Sequence, residues 1–157
     1  MIGGGDWSND RLAPDIVRAV EANITLEIRK PSATRPWQHV IDCLLGYLLV
    51  AQSHFENSNN TPNSINFGPK KSISVKDFIS EFQNGFEKPI NYKVINSDHH
   101  EQINLTLDSS LASKHLNWHP LMTANQAIRS TAKWYSDFLL GGNPLDLMNR
   151  DLEMMKI

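Results

Sequence analysis

Met1-Ile2-Gly3-Gly4-Gly5-Asp6-Trp7-Ser8-Asn9-Asp10-Arg11-Leu12-Ala13-Pro14 opens the chain, and Thr34-Arg35-Pro36-Trp37-Gln38-His39-Val40 follows further on. Glycines have little preference for helix or strand, so the opening is predicted as loop up to Pro14. That proline suits the first turn of a helix, where its missing N–H is no loss. Asp15 to Ala22 then predicts a short amphipathic helix with Ile16, Val17 and Val20 inward. From Thr25 to Arg29, Leu26 and Ile28 alternate with polar neighbours, the pattern of a half-buried strand. Arg35 thus stands between a predicted strand and the helix after it.

Residues 40–55 are the strongest helix. Val40, Ile41, Leu44, Leu45, Leu48, Leu49, Ala51 and Phe55 cover more than one stripe, so this helix calls for burial on most of its circumference. Asn57 to Asn63 reads as loop, and Ser64 to Phe67 as a short strand ended by Gly68-Pro69. Ser74-Val75-Lys76-Asp77 is a variant capping box, opening a helix with Val75, Phe78, Ile79, Phe82 and Phe86 on one face. Ile90 to Ile95 alternates as a strand, and Ile103 to Leu107 is a further strand candidate. Asp108 caps a short helix ending near Leu116, with Asn117 placed for a left-handed closing residue. Thr123 with Gln126 opens the longest amphipathic helix, Gly141-Gly142 stops it, and Pro144 starts a last helix running to about Met155. The pattern is mixed α and β, helix-rich, without regular βαβ alternation.

At 157 residues the chain is one domain's worth, enough to bury about two-thirds of its unfolded surface. A 40% hydrophobic fraction and a mean hydropathy of −0.38 fit a globular protein rather than a disordered one. A net charge of −2 supplies no basic field for a nucleic-acid backbone. The single cysteine, Cys43, excludes an intramolecular disulfide and a multi-thiolate zinc site, and in its apolar run it reads as a small buried hydrophobe. The apolar run Val40 to Ala51 is too short and interrupted to span a bilayer, and no signal peptide is visible, so the expected setting is cytoplasmic with no membrane partner.

Several chemistries are missing. Gly3-Gly4-Gly5 has the wrong spacing for a dinucleotide fingerprint, and Gly68-Pro69-Lys70-Lys71-Ser72 lacks the earlier glycine of a phosphate loop. His100-Glu101-Gln102-Ile103-Asn104 puts Asn104 where a zinc protease needs its second histidine. There is no nucleophile elbow. No Tyr-x-x-x-Lys pair occurs, since Tyr47, Tyr92 and Tyr135 are followed by Ala51, Asn96 and Leu139.

The opening stretch, with Ile28-Arg29-Lys30-Pro31 and Thr34-Arg35-Pro36-Trp37-Gln38-His39-Val40, closely resembles the CDP-glucose 4,6-dehydratases of the extended short-chain dehydrogenase/reductase superfamily. The resemblance runs from Ile2 to about Tyr135 and is specific in the motifs before residue 41. Lys30 replaces an asparagine, Asp42-Cys43 a Glu-Pro pair, and Gln102-Ile103-Asn104 a small-His-Tyr run; these departures bear on base and sugar specificity. The resemblance implies a helix-rich α/β, C-terminal substrate-binding domain, residues 1–157, with the N-terminal Rossmann part missing. Residues about 40–68 would then pack on that absent sheet. NAD belongs to the parent family, and the resemblance places its glycine fingerprint and Tyr-x-x-x-Lys upstream of the residue matching Met1. No cofactor, metal or catalytic residue is therefore expected in this chain alone.

A sugar nucleotide needs a bidentate cation for the diphosphate, neutral donors beside it and a slot for the base. The resemblance puts the substrate-binding arginine at Arg35; the other reading is a surface arginine stacked on Trp37. Arg11 matches a basic residue before the Leu-x-Pro segment lining the nucleotide, with Leu12 bordering the base, or else is a surface charge beside Asp10. Arg29 falls where a residue lies against the nucleotide. Asn66 corresponds to a phosphate-contacting asparagine or is a turn-capping one. His39 belongs to the same motif, or is a satisfied histidine against Trp37. His100 with Glu101 resembles a His-Glu pair of the family. Trp118 and Pro120 resemble the Leu-Gly-Trp-x-Pro of the superfamily, with a packing role.

The expectation is a CDP-sugar-binding, C-terminal part of a CDP-glucose 4,6-dehydratase-like lyase serving O-antigen and other cell-surface polysaccharide sugars, inactive alone. Its partners would be CDP-glucose or another nucleotide sugar, and a second copy or an N-terminal Rossmann half. Two alternatives stay open: a piece of another nucleotide-sugar epimerase or dehydratase, and a non-catalytic remnant or interaction module.

Overall fold

A computed structural model describes residues 1–56, 62–96 and 102–154. Its six helices are α1 (Leu12–Glu21), α2 (Val40–Phe55), α3 (Val75–Phe86), α4 (Ser110–Leu116), α5 (Ala124–Leu139) and α6 (Pro144–Glu153). The short strands are β1 (Leu26–Ile28), β2 (Thr34–Arg35), β3 (Ile73–Ser74) and β4 (Tyr92–Val94). β1 runs parallel to β4 with Leu26 opposite Tyr92 and Ile28 opposite Val94, while β2 and β3 form an antiparallel pair.

The core is the contact between α3 and α5, with α1 and β1 closing its sides. Phe78, Phe82 and Phe86 recur at helical spacing and are fully buried, with Phe82 centred 5.7 Å from Phe78 and 5.6 Å from Phe86. Burying each such ring contributes about 1.5–3 kcal/mol relative to exposure. The two helices approach closely because Gly85 faces α5, where a Cβ would stand 2.6 Å from the Arg129 carbonyl oxygen. Local signals set the ends. Ser74 Oγ accepts from the Asp77 amide at 3.1 Å, and Thr123 with Gln126 forms a complete capping box. Asn117 closes α4 in the left-handed region at φ 50°.

Four expectations need correction. α1 begins at Leu12 rather than Asp15, because Pro14 sits third in the helix, still within the turn whose N–H groups have no intrahelical partner. Ser64 to Phe67 is not a strand: among the described residues nothing pairs with it, and extended chain without a ladder neighbour has no strand to join. Ile103 to Leu107 makes only a bridge to Thr34, through Thr34 N–H to the Ile103 carbonyl and Leu105 N–H to the Thr34 carbonyl. α6 ends at Glu153. The apolar helix α2 also differs from the burial its composition calls for. It hides Ile41, Asp42, Cys43 and Gly46 but leaves Leu44, Tyr47, Leu48 and Phe55 exposed. Trp118 packs as expected, buried with its indole N–H donating to the Asp42 carbonyl at 3.0 Å.

Candidate functional site

The opening loop, the end of β1 and the segment after β2 enclose a cavity of about 530 Å³. These walls are stitched together by the main chain: Ile2 N–H donates to the Gln38 carbonyl and Val40 N–H to the Ile2 carbonyl, each at 2.8 Å. The cavity therefore gathers side chains from three distant stretches. Arg11 and Leu12 stand at the start of α1, Arg29 and Lys30 follow β1, and Arg35 ends β2. Phe67, Leu105 and Leu107 supply apolar wall.

Arg35 is half-buried, and its Nη1 donates to the Thr34 and Gln102 carbonyls, each at 2.9 Å. These bonds fix the plane of the guanidinium, which makes the group a pre-oriented fork rather than a swinging cation. The nearby carboxylates are partly committed elsewhere. Asp15 pairs with Arg18 at 2.5 Å and Glu27 with Lys93 at 2.9 Å. Asp6 is held below the usual carboxylate range by hydrogen bonds from Ser8. The lining thus combines four cations, Arg11, Arg29, Lys30 and Arg35, with four carboxylates, Asp6, Asp10, Asp15 and Glu27, and an apolar wall. Among the described residues no group of three His, Cys, Asp or Glu side chains could hold a metal.

Arg11, Leu12, Arg29 and Arg35 are thus brought together, whereas Asn66 and His39 are not. Asn66 is exposed and outside the lining, although Phe67 beside it belongs to the wall. His39 is wholly buried; its Nδ1 accepts from the Ile41 amide at 3.4 Å as the cap of α2, and burial lowers its pKa to about 4. Its Nε2 lies 3.9 Å from Asp151 on α6, whose carboxyl burial raises to about 6. His100 lies outside the described residues. Lys30, Asp6 and Phe67 are wall residues that the sequence reading did not single out as site residues, although Lys30 stands in a quoted motif. A second cavity of about 750 Å³, lined by Lys70, Lys71, His119, Leu121 and Thr123 among others, gathers none of the candidate site residues.

No family model matches the chain. It is 34% identical over 155 residues to the CDP-glucose 4,6-dehydratase of Salmonella typhimurium, covering 97% of this chain and 43% of that protein. The chain therefore spans less than half the length of this curated relative. Its fold is shared with the UDP-glucose-4-epimerase of Stenotrophomonas maltophila, solved with NAD and formylated UDP-arabinopyranose (TM-score 0.74, 18% identity, 87% of this chain and 43% of that one). A variant of the UDP-glucuronic acid 4-epimerase from Bacillus cereus, with a fluorinated UDP-sugar and NAD, gives a TM-score of 0.71 at 20% identity over 88% of this chain and 43% of that one. The dTDP-glucose 4,6-dehydratase of Bacillus anthracis, in complex with NAD, gives 0.69 at 15% over 85% and 41%. The resemblance to the CDP-glucose 4,6-dehydratases thus holds as sequence similarity to part of one such enzyme, and the fold is shared with part of these epimerase and dehydratase structures.

Proposed function

We propose that this chain is the nucleotide-sugar-binding part of a CDP-glucose 4,6-dehydratase-like protein, in a cytoplasmic route to cell-surface polysaccharide sugars. The observation that carries this reading is the convergence of Arg11, Arg29 and Arg35, from three separate stretches, on one cavity of nucleotide size. Arg35 takes the diphosphate as a planar fork, with Arg11 and Arg29 completing the positive field. Leu12 and Phe67 form the apolar border of the base. A role for Asn66 or His100 at the phosphate or sugar end stays part of the proposal.

Residues that would hold NAD are not among those present. The sequence has no glycine fingerprint between a strand and a helix and no Tyr-x-x-x-Lys pair, so no hydride or proton step is assigned to this chain. Residues about 40–68 would instead dock against a dinucleotide-binding half. The exposed Leu44, Tyr47, Leu48 and Phe55 on α2 support that surface.

Calorimetric titration of the chain with CDP, UDP and CMP tests the reading. CDP should bind more tightly than CMP, which lacks the second phosphate. Arg35→Ala should weaken CDP by about tenfold to a hundredfold, the loss of a charge-assisted bidentate contact of roughly 1.5–3 kcal/mol. Arg35→Lys should recover only part, because an ammonium has no planar fork. Tighter binding of UDP than CDP would move the chain toward another nucleotide. Identical curves for the unaltered chain and both variants would reject the role of Arg35.

A further inference from the structure

The opening wall of the cavity is seated on a helix that does not itself reach the cavity. No residue of α5 lines it, while Asp6, Asp10, Arg11 and Leu12 do. Between the bridge that joins Ile2 to His39 and the start of α1, the wall is loop with no ladder or helix of its own to hold it. That stretch is held by contacts of Gly4, Asp6, Trp7 and Ser8 with side chains of α5 and α1.

Gly4 lies flat against Trp134 of α5, so close that a Cβ there would stand 2.0 Å from the indole ring. Trp7 packs edge-on to Tyr135 with centroids 5.3 Å apart, and lies 5.7 Å from Phe138. The phenol of Tyr135, on a side chain that is fully buried, donates to the Asp6 carbonyl. Arg18 of α1 donates to the next two carbonyls, those of Trp7 and Ser8, each at 3.0 Å. Three successive carbonyls of the loop are therefore each tied to a side chain outside it. Asp6 is the first of the three and the one nearest the glycines, where Gly5 at φ +77° turns the chain.

We infer that Tyr135 is a positioning residue of the candidate nucleotide site, seating the opening loop so that Arg11 and Leu12 face the cavity. The inference rests on the nucleotide reading of that cavity and adds a residue the cavity itself does not contain. A carbonyl can only accept, so Tyr135 must supply the hydroxyl proton, and burial keeps that phenol protonated far beyond neutral pH. Tyr135→Phe removes this one donor and keeps the ring that packs in the core.

The test uses the full 157-residue chain. Hydrogen exchange is followed by mass spectrometry and CDP affinity by calorimetry, both well below the melting temperature of each variant. In Tyr135→Phe, amide exchange in residues 6–12 should rise about three- to tenfold, and CDP affinity should fall by a similar factor, as expected for one lost hydrogen bond. Exchange in the facing part of α3 should not change. Gly4→Ala, which pushes the loop off Trp134 without touching the Tyr135 side chain, should give the same pattern more strongly. A merely structural phenol would lower the melting temperature and leave both the local exchange and the CDP affinity of the folded chain unmoved; that result overturns the inference. Looser exchange with unchanged CDP affinity in both variants also overturns it. If the unaltered chain binds no CDP, the nucleotide reading fails and takes the positioning role with it. The exchange data would still report separately whether Tyr135 seats the loop.

Discussion

Helices α2 and α5 are both 16 residues long, and they meet opposite fates. α2 is the more apolar, yet it shows Leu44, Tyr47, Leu48 and Phe55 to solvent. α5 carries many polar residues and buries most of its apolar stripe, with Ile128, Ala132 and Tyr135 fully buried and Phe138 and Leu139 partly so. The difference lies in the partner rather than in the apolar content. α5 meets the phenylalanine face of α3 across a glycine-close contact, so its stripe is matched along its length. α2 packs on α4, Phe67 and Trp118 and joins the opening loop at Val40, and it leaves Leu44, Leu48 and Phe55 exposed. One half of the chain closes on itself, and the other half presents a surface fit for a cover.

The sharpest way to break this comparison is to truncate one large apolar side chain to alanine in each region. Phe82→Ala, between α3 and α5, should cost about 3–5 kcal/mol and leave little or no folded chain, whereas Leu48→Ala should cost less than about 1 kcal/mol. Urea unfolding followed by circular dichroism reads both. Equal losses would mean that α2 is as well packed as α5.

A smaller effect concerns association. The unaltered chain should self-associate at high micromolar concentration through the α2 face, and Leu44→Glu with Leu48→Glu should raise the dissociation constant at least tenfold without loss of helix. Light scattering that shows a compact monomer for the unaltered chain, with a sharp cooperative melt, would remove the argument for a docking face.

The smallest effect lies where the two regions meet, at the buried His39 and Asp151. The raised pKa of Asp151, about 6, means the folded chain holds its proton more tightly than the unfolded one. That contribution is full below about pH 4 and is lost as pH rises through 6. The lowered pKa of His39, about 4, works in the other direction. Its neutral form caps α2, and this contribution is full above about pH 6.5 and is lost as pH falls toward 4. The two oppose each other between pH 4 and 6, while Arg150 beside Asp151 partly offsets its shift. Stability should be nearly flat in this window. Asp151→Asn should uncover a slope on the order of 2 kcal/mol, with stability rising from pH 4 to 6.5. Denaturant midpoints across this range check the sign, and a steep slope in the unaltered chain would show that the two groups are not balanced.

The sequence was a good guide wherever one element carried its own signal. Thr123-Gln126 and Ser74-Asp77 mark ends by side-chain bonds to nearby backbone, Asn117 marks one by a left-handed backbone, and the chain folds there as read. The phenylalanines of α3 likewise announced a face. Ser64 to Phe67 was misread because a strand depends on a neighbour that sequence periodicity does not report. Within the site, the quoted motifs lie in segments that line the cavity, with Arg11, Arg29 and Arg35 among the lining residues. They did not tell which face of a segment meets the cavity. His39 stands four residues after Arg35 in the same motif, but its backbone pairs with Ile2 and its ring turns to cap α2. The seat of the opening loop on Tyr135 and Trp134 joins residues more than a hundred positions apart, and no local pattern announces it.

The central claim is that the cavity between the opening loop and Arg35 is the nucleotide site. Amide chemical-shift mapping of the chain titrated with CDP tests it most directly. The account expects saturable shifts at Arg11, Leu12, Arg29, Arg35 and Phe67, with little change around Lys70, Lys71 and His119. Shifts confined to that second cavity, or none at millimolar CDP, would contradict it.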